Sequence, residues 1–474
     1  MGAVMGIDLG TSYFKVALVS EDGVLLGLGR RAVRVQSPYP GYQELPLPQF
    51  VDLVEQTVGD AFAASGLAFG DIAAVSYSSQ ANTFALFDSA MQPLTPLIIW
   101  SDSRVSAVPR EVQSLLADTA LLEKTGMGLF SMQLCVAKLA WFRHVQPELW
   151  RATHYVMTIS DLLLFLLTGC RIGDSSTASL LGIWDVNAEH YWRTGLDVLD
   201  LRPELFAALY RPAAVVGTAD SEFARRLGLR RSAVAVAGSL DHLAAALGAG
   251  IGYLAPAAES SGTVLAALGL IDHFAVEQGT SVGPYASAGR FYKLAFSEHG
   301  AGVLEWYRRS YAPELTLARL TELAENVPAG CEGLTARPGA QRYRDLQGFR
   351  ASRRPGQPYR HGHYARALME QGAVVLRSLL LRALDGETPE AVVSTGGGAQ
   401  NDLWLQIKAD VVGCDFVRSD CAEPGSLGAA MYAACGAGWF TTVEQAARAW
   451  LSVNARVSPD PARSSDYRAL LEQS

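Results

Sequence analysis

The chain has 474 residues, about three times the length of an average domain, which predicts two large domains. Hydrophobic residues make up 49% and charged residues 18%, so the composition favours packed cores and excludes a disordered chain. The net charge of -8 argues against a general nucleic-acid-binding surface, which needs a basic excess.

Cysteine usage and hydropathy predict the compartment. Six cysteines without a C-x-x-C pair indicate free thiols in a reducing environment. The N-terminal MGAVMGIDLG has no basic flank and no cleavage site, and the apolar stretch 155–167 is too short to span a bilayer. We therefore expect a cytoplasmic protein that binds neither nucleic acid nor a membrane.

The first half of the chain predicts alternating strands and helices. GIDLG, FKVALVS and VLLGLGRRAVRV predict three strands, which the short turns between them make antiparallel. A helix over 49–64 and strands over 72–78 and 83–87 follow, and helical periodicity dominates 121–167. A strand over 233–237 then leads into a helix over 243–249, and the glycine-rich link at 250–255 predicts the domain boundary.

The second half begins with a similar design. AESSGTVLAALGLI places an acid, Gly-Thr and an apolar strand in the order seen after Asp8, which duplication and chance explain equally well. A helix over 364–384, the strand AVVSTGGG, a helix over 402–412 and a last helix near Gly428 follow. This alternation predicts a layered α/β fold.

The N-terminal hairpin is the first candidate site. Asp8 ends a buried strand, where a carboxylate requires a cation or hydrogen-bond donors. The next turn offers N–H groups and the hydroxyls of Thr11 and Ser12, which suit a phosphate, and Lys15 could reach the same anion. A phosphate cradle and a hairpin that uses its polar residues only for its own turn are equally consistent with this segment.

Two segments of the second half are candidates for phosphate or nucleotide contacts. Glu259, Gly262 and Thr263 form a Gly-Thr turn after a strand, which taken alone favours a simple turn. Three glycines at 396–398 separate a strand from a helix and remove side chains where a ligand could approach the backbone. A nucleotide site is the favoured interpretation of the three glycines.

The segment GSLDH is the fourth candidate. Asp241 follows a strand and precedes a helix, where an aspartate is either an N-cap or a general base facing a cleft. His242 beside it is the other candidate base. The segment alone does not decide between these interpretations.

In this order and spacing, the segments resemble the FGGY family of carbohydrate kinases, which belongs to the actin-like ATPase superfamily. GIDLGTSYFKVALVSEDG is similar to the first phosphate segment, IIWSDSR to the W-x-D-x-R stretch on the substrate side, and GSLDHLAAALGAG to the segment of the catalytic base. SSGT, STGGGAQNDLWLQIKADVVG and EPGSLGAA are similar to the second phosphate, adenosine and closing segments. Six segments in register over nearly the whole chain are specific for the family.

The resemblance implies two ribonuclease-H-like domains, 1–250 and 251–474, with ATP and a sugar in the cleft between them. Asp241 would be the general base, and Asp8 and Asp241 would lie at a magnesium ion. The residues implied at ATP are Thr11, Ser12, Lys15, Gly262, Thr263, Ala301, Gly302, Gly397, Gly398 and Asn401. The residues implied on the sugar side are Gln80, Asn82, Trp100, Asp102 and Arg104.

The implied activity is the ATP-dependent phosphorylation of a hydroxyl of a small sugar, a ketose such as xylulose or a polyol. A catalytically silent nucleotide-binding protein of the same fold is the alternative, and the family suggests a homodimer. Ala81, Asn82 and Thr83 stand where many pentulose kinases have Met-His-Gly and glycerol kinases have Arg-Glu-Thr, so the substrate stays open. The arginine-rich segment 337–366 is a remodelled lid, an oligomer contact or, as we favour, a solvated face.

Overall fold

The computed structural model describes residues 2–129, 131–262, 264–297, 300, 302–336, 348–351 and 358–472. The strands are β1 (Ala3–Leu9), β2 (Tyr13–Ser20), β3 (Leu25–Ala32), β4 (Glu44–Leu45), β5 (Ile72–Ser79), β6 (Phe84–Phe87), β7 (Leu97–Ile98), β8 (Tyr155–Thr158), β9 (Ile172–Asp174), β10 (Trp184–Asp185), β11 (His190–Tyr191), β12 (Ala208–Tyr210), β13 (Val215–Thr218), β14 (Leu229–Val236), β15 (Ser239–Leu240), β16 (Ala257–Ser261), β17 (Leu265–Ile271), β18 (Ser281–Pro284), β19 (Phe291–Ser297), β20 (Leu334–Ala336), β21 (Phe349–Ala351), β22 (Ala391–Thr395), β23 (Asp415–Ser419) and β24 (Val453–Val457). The α-helices are α1 (Leu47–Ser65), α2 (Arg110–Leu116), α3 (Ala120–Thr125), α4 (Cys135–Val145), α5 (Pro147–Ala152), α6 (Ile159–Thr168), α7 (Ser175–Ala178), α8 (Arg193–Val198), α9 (Glu222–Arg226), α10 (Asp241–Ala249), α11 (Gly302–Tyr311), α12 (Leu317–Glu325), α13 (His361–Ala383), α14 (Asp402–Val412), α15 (Pro424–Gly436), α16 (Val443–Trp450) and α17 (Pro461–Glu472).

The chain divides into two compact units, each built from several segments. The first unit contains Met1–Gly248, Ile271–Tyr292 and Cys421–Leu451, and the second contains Ala249–Leu270, Lys293–Asp420 and Ser452–Ser474. The sequence boundary at residue 250 stays a prediction about domains, since the compact units also exchange segments further along the chain. Among the described residues, no helix has the length and apolar character needed to cross a membrane.

The main sheets of the two units have the same core topology. In the first unit the order is β3-β2-β1-β5-β14-β13, with β1 antiparallel to β2 and parallel to β5. In the second unit β19-β17-β16-β22-β23-β24 follow one another, and β16 is antiparallel to β17 and parallel to β22. The two similar sequence segments therefore lie in the same strand arrangement, and the α/β fold prediction is confirmed.

The helical periodicity predicted over 121–167 fails at Tyr155–Thr158. Within the segment predicted to be helical, Tyr155–Thr158 is strand β8, which pairs with β6 in a second sheet of order β4-β7-β6-β8. Thr158 then begins α6 in a capping box with Asp161, whose backbone N–H its side chain accepts. A short apolar run is compatible with a buried strand as well as with a helix, so the pattern alone could not separate them.

Close backbone contact fixes α15 in the first unit. A Cβ atom on Gly428 would lie 1.9 Å from the carbonyl oxygen of Ala244 in α10, and one on Gly248 would lie 2.0 Å from that of Pro424. A Cβ on Gly6 of β1 would lie 2.1 Å from the carbonyl oxygen of Ser426. Glycine at these positions allows α15 to approach both the sheet and α10 closely.

We expect Gly428→Ala to lower the free energy of unfolding by about 1–3 kcal/mol, because the added methyl group would force α10 and α15 apart. Chemical denaturation of Gly428→Ala, of a control variant and of the parent protein measures the effect. Gly59→Ala is the matched control, since a Cβ there meets no atom within 4 Å and alanine favours the interior of α1. Equal stability of the two variants would contradict the close packing.

Candidate functional site

Polar residues of the first unit meet at one edge of its main sheet. β1 and β15 both run parallel to β5, so the carboxyl ends of the three strands lie at the same edge. Asp8 occupies the next-to-last position of β1, Gln80 follows β5, and Asp241 follows β15 as the first residue of α10. The sheet therefore brings together residues that the sequence separates by more than 200 positions.

Asp8 is a buried carboxylate with incomplete charge compensation. Its Oδ1 accepts a 2.8 Å hydrogen bond from Ser78, and its Oδ2 lies 3.8 Å from Nζ of Lys15. Nζ of Lys15 lies closer to Glu423, at 2.7 Å. Burial raises the pKa of Asp8 from 3.8 to about 6; Lys15 and the Ser78 hydrogen bond lower it, and the charges of Asp241 and Glu423 raise it.

The other polar groups of this edge are more accessible. Asp241 is half-buried, and its Oδ1 accepts a 2.7 Å hydrogen bond from the backbone N–H of His242. In the turn between β1 and β2, Ser12 is exposed and Thr11 is half-buried. The hydroxyl of Thr11 accepts a 2.9 Å hydrogen bond from Nε1 of Trp100, which links the hairpin to the segment IIWSDSR.

Trp100 is an exposed aromatic side chain on a firmly held turn. Its relative exposure is 40%, although its backbone N–H donates to Thr83 at 2.9 Å. Beneath the turn, Nζ of the fully buried Lys138 donates to the carbonyl oxygens of Ile99 and Trp100 at 2.8 and 2.9 Å. Burial lowers the pKa of Lys138 to about 8, against the opposing effect of Asp102.

Asp102 and Arg104 form a buried ion pair behind the same turn. Asp102 is 0% exposed; Oδ1 accepts from Nε of Arg104 at 2.8 Å, and Oδ2 accepts from the backbone N–H of Gln43 at 2.7 Å. Arg104 also donates to Glu44 at 2.7 Å and lies 4.1 Å from the ring centroid of Tyr42. The hydrogen-bonding groups of this pair are thus engaged within the chain.

Gln80 and Asn82 are likewise held by internal contacts. Nε2 of Gln80 donates weakly to the carbonyl oxygens of Leu9 and Gly10 at 3.3 and 3.4 Å, and the side chain is 3% exposed. Asn82 has a φ of 60°, and its Oδ1 accepts from the backbone N–H of Cys135 at 2.9 Å. These amides hold the loops around Trp100, and their contact with a sugar stays a prediction.

In the second unit, Glu259 occupies the position that corresponds to Asp8 but is fully paired. Its Oε1 lies 2.7 Å from Nζ of Lys408, and both side chains are completely buried. Ser261 donates to Oε2 of Glu259 at 2.6 Å, and Ser394 on the parallel neighbour β22 also donates to this carboxylate. Lys408, which the sequence analysis did not single out, thus supplies the charge that Glu259 needs.

The three glycines lie against the end of β16. Gly396 has a φ of 80°, and a Cβ on Gly398 would lie 2.5 Å from Cβ of Ser261. Gly397 and Gly262 have open space where a Cβ would stand. A flat, side-chain-free surface of this kind suits close approach of a ligand to the backbone.

The remaining positions predicted at ATP lie at helix starts or outside the described residues. Asn401 caps α14, accepting from the N–H of Trp404 at 3.0 Å, and its Nδ2 donates to Thr321 at 2.9 Å. Gly302 is exposed at the start of α11. Thr263 and Ala301 fall outside the described residues, as does most of the arginine-rich segment 337–366.

The metal prediction is not matched by a cluster of ligands. Within the described parts of the chain, no group of three or more His, Cys, Asp or Glu side chains is arranged to hold an ion. Sequence reasoning also missed Glu423, although it quoted EPGSLGAA, because the contact of Glu423 with Lys15 depends on how α15 packs on the sheet.

We expect Asp8→Asn to be more stable than the parent at about pH 8 without divalent cations. Folding raises the pKa of the Asp8 carboxyl from 3.8 to about 6, so the protonated carboxyl favours the folded state. This contribution to stability is complete at pH values below 3.8 and is lost as the pH rises through about 6. The shift corresponds to roughly 3 kcal/mol. Thermal denaturation at about pH 8 and about pH 5 should therefore show a stability gain that narrows at the lower pH, and a pH-independent difference would contradict it.

Lys408→Met should destabilise the folded state by about 3–5 kcal/mol, because it leaves Glu259 charged and buried without a partner. The double variant Glu259→Gln/Lys408→Met removes both charges and should recover part of the loss. Denaturation curves of the two variants give the comparison. An unchanged unfolding free energy for Lys408→Met would show that the pair does not stabilise the unit.

Comparisons with known proteins agree with the fold and identify the family. Residues 3–248 match the N-terminal domain model of the FGGY family of carbohydrate kinases, and residues 211–437 match its C-terminal domain model. The chain is 26% identical to a xylulose kinase of Bacillus subtilis, covering 100% of this chain and 96% of the relative. It is 29% identical to an L-fuculokinase of Salmonella typhi over 76% of this chain and 77% of the relative.

A gluconate kinase of Lactobacillus acidophilus has the same fold, with a TM-score of 0.88, 21% identity and coverage of 100% of this chain and 96% of that structure. The two-domain, actin-like fold that the six sequence segments imply is therefore confirmed. The chain belongs to the FGGY family of carbohydrate kinases.

Proposed function

We propose that this carbohydrate kinase uses Asp241 as the general base that activates a hydroxyl of a small ketose for attack on the terminal phosphorus of ATP. The observation that carries the proposal is the position of Asp241 at the sheet edge beside Asp8, where its charge contributes to the raised pKa of Asp8. Family membership implies ATP as the phosphoryl donor.

The position of Asp241 at the start of α10 and its half-buried side chain support the role of general base. The hydrogen bond from the N–H of His242 engages Oδ1, and Oδ2 is then the oxygen that would accept the proton of the sugar hydroxyl. As that hydroxyl oxygen bonds to the terminal phosphorus, the bond to the leaving ADP breaks. His242 would serve as the residue that orients the carboxylate through its backbone, and the base would be Asp241.

The first hairpin would bind the transferred phosphoryl group. Thr11 and Ser12 present hydroxyls in its turn, and Lys15 provides the cation beside it. Glu423 holds Lys15 at 2.7 Å and so directs its ammonium group along this edge. The proposed contacts to ATP in the second unit are Gly262, Thr263, Ala301, Gly302, Gly397, Gly398 and Asn401.

Asp8 and Asp241 fit a magnesium ion bound mainly through water and phosphate oxygens. Mg²⁺ in kinase sites commonly takes only one or two protein carboxylates, so a larger ligand cluster is not required. The raised pKa of Asp8 marks a buried charge that an added cation would stabilise. When bound, the ion would neutralise charge on the phosphates.

The sugar-side residues differ in what they can offer. Trp100 has exposed ring surface that could form an apolar wall of a sugar site, while Asp102 and Arg104 would hold its turn in place. Xylulose is our first candidate substrate, because a xylulose kinase is similar to this chain over its whole length. L-fuculose, gluconate, glycerol and erythritol are the rival compounds.

Asp241→Asn should lower turnover by about 10²–10⁴ while ATP still binds, because the amide cannot take the hydroxyl proton. Coupled ADP release and nucleotide titration measure the two properties. Asp22→Asn is the control, since Asp22 is an exposed carboxylate in the turn after β2. Full turnover by Asp241→Asn would overturn the assignment of the base.

A panel of sugars tests the choice of substrate separately from the phosphorylation reaction. We expect ADP release to rise at least tenfold above the sugar-free rate with one ketose, xylulose first, and thermal denaturation to show stabilisation by the same compound. ADP release that no compound of a broad panel increases would contradict sugar phosphorylation. A response to gluconate or glycerol alone would leave the kinase assignment intact and correct the substrate.

A further inference from the structure

A buried polar network lies directly behind the start of α10, and the proposed chemistry does not use it. Its centre is Ser176 in α7, which is 0% exposed. The Ser176 hydroxyl donates to Oδ1 of Asp174 at 2.6 Å and accepts from the backbone N–H of Leu240 at 3.1 Å. Leu240 is the residue immediately before Asp241.

Asp174 sets the direction of the Ser176 hydroxyl. This carboxylate is 1% exposed and also accepts from the hydroxyl of Tyr77 at 2.9 Å and from the backbone N–H of Thr177 at 2.7 Å. Burial raises the pKa of Asp174, whereas these donors lower it. Because the proton of Ser176 points to Asp174, a lone pair of its oxygen faces the N–H of Leu240.

The backbone of Ser176 is held as well. Its carbonyl oxygen accepts from the hydroxyl of Tyr292 at 2.9 Å, and the same hydroxyl lies 2.9 Å from Oγ of Ser179. These contacts fix both the side chain and the main chain of Ser176 inside the first unit. A side chain held at both ends can act as a rigid spacer between neighbouring elements.

β15 is short and depends on such support. It has only two residues, Ser239 and Leu240, which pair with Ser78 and Ser79 of β5. The hydrogen bond that the Leu240 N–H donates to Ser176 restrains the last peptide of this strand, after which the chain turns into α10. Asp241 follows one residue later as the first residue of α10.

We propose that Ser176 is a positioning residue for the reaction: its hydroxyl links the Asp174 carboxylate to the Leu240 peptide and so aims Asp241 at the substrate hydroxyl. The inference rests on the proposed role of Asp241 as the base. Ser176 acts through the base, so its loss lowers turnover and leaves substrate binding unchanged.

The neighbouring Ser175 provides a matched control. It lies in the same helix and is 3% exposed, and its hydroxyl has no hydrogen-bond partner among the described residues. Ser175→Ala and Ser176→Ala remove the same atom from buried positions of one helix. A purely structural effect of losing a buried hydroxyl would affect both.

The experiment measures kcat, the KM for ATP, the KM for the sugar and thermal stability. The variants are Ser175→Ala, Ser176→Ala, Asp241→Asn and the double variant Ser176→Ala/Asp241→Asn. We expect Ser176→Ala to lower kcat roughly tenfold, as the loss of one positioning hydrogen bond would, with both KM values unchanged. Ser175→Ala should keep the parental kcat. The double variant should turn over within about twofold of Asp241→Asn, because Ser176 acts through that carboxylate.

Two results overturn the inference while Asp241 remains the base: parental turnover by Ser176→Ala, or the same tenfold loss in the Asp241→Asn background. Parental turnover by Asp241→Asn overturns the proposed function itself. If Ser176→Ala does not fold, Ser176→Cys replaces the hydroxyl with a slightly larger thiol, which is a weaker hydrogen-bond donor and acceptor. It should then show the same selective loss of kcat, and parental turnover by that variant counts against the proposal.

Discussion

A carboxylate buried on the central strand of each main sheet is the constraint that organises this protein. Asp8 on β1 and Glu259 on β16 each accept a hydrogen bond from a serine at the paired position of the parallel neighbour, Ser78 and Ser394. The two units differ in how a lysine compensates the negative charge of this carboxylate. Lys408 lies 2.7 Å from Glu259, whereas Lys15 lies 3.8 Å from Asp8 and is closer to Glu423.

This difference is consistent with a structural role for Glu259 and with the chemical role proposed for the edge that carries Asp8. The Glu259 charge is satisfied within the protein by Lys408 of α14, whose Nζ also donates to Ser261 at the end of β16. The Asp8 charge remains destabilising, as its raised pKa indicates, and an added cation would relieve it. An active site that costs stability in the free enzyme and regains it on binding is consistent with the proposed phosphoryl transfer.

The local pattern predicted much of the fold. The helix over 402–412 was confirmed as Asp402–Val412, and the antiparallel strands after the N-terminus follow from turns too short for another arrangement. The strand Tyr155–Thr158 was missed because an apolar run does not distinguish strand from helix. The compact units are built from several segments, and long-range packing of this kind leaves no local signal.

Some residues of the candidate site could likewise be predicted from local sequence patterns, and others could not. The positions of Asp8, Asp241 and the three glycines near strand ends could be predicted, because glycines and acids there have a local signature. Glu423, Lys138 and Ser176 could not, since each acts through a partner distant in sequence: Lys15, Ile99 and Leu240, respectively. The sequence analysis predicted Asp102 on the sugar side. Both of its carboxylate oxygens accept hydrogen bonds from within the chain, and local sequence patterns do not reveal such contacts.

The most direct measurement of the central claim is a crystal structure with the preferred sugar and a non-hydrolysable ATP analogue. The account predicts one sugar hydroxyl within about 2.6–3.2 Å of an Asp241 carboxylate oxygen and in line with the terminal phosphorus. A complex in which the Asp241 carboxylate points away from every sugar hydroxyl, with no water bridging the two, would contradict it.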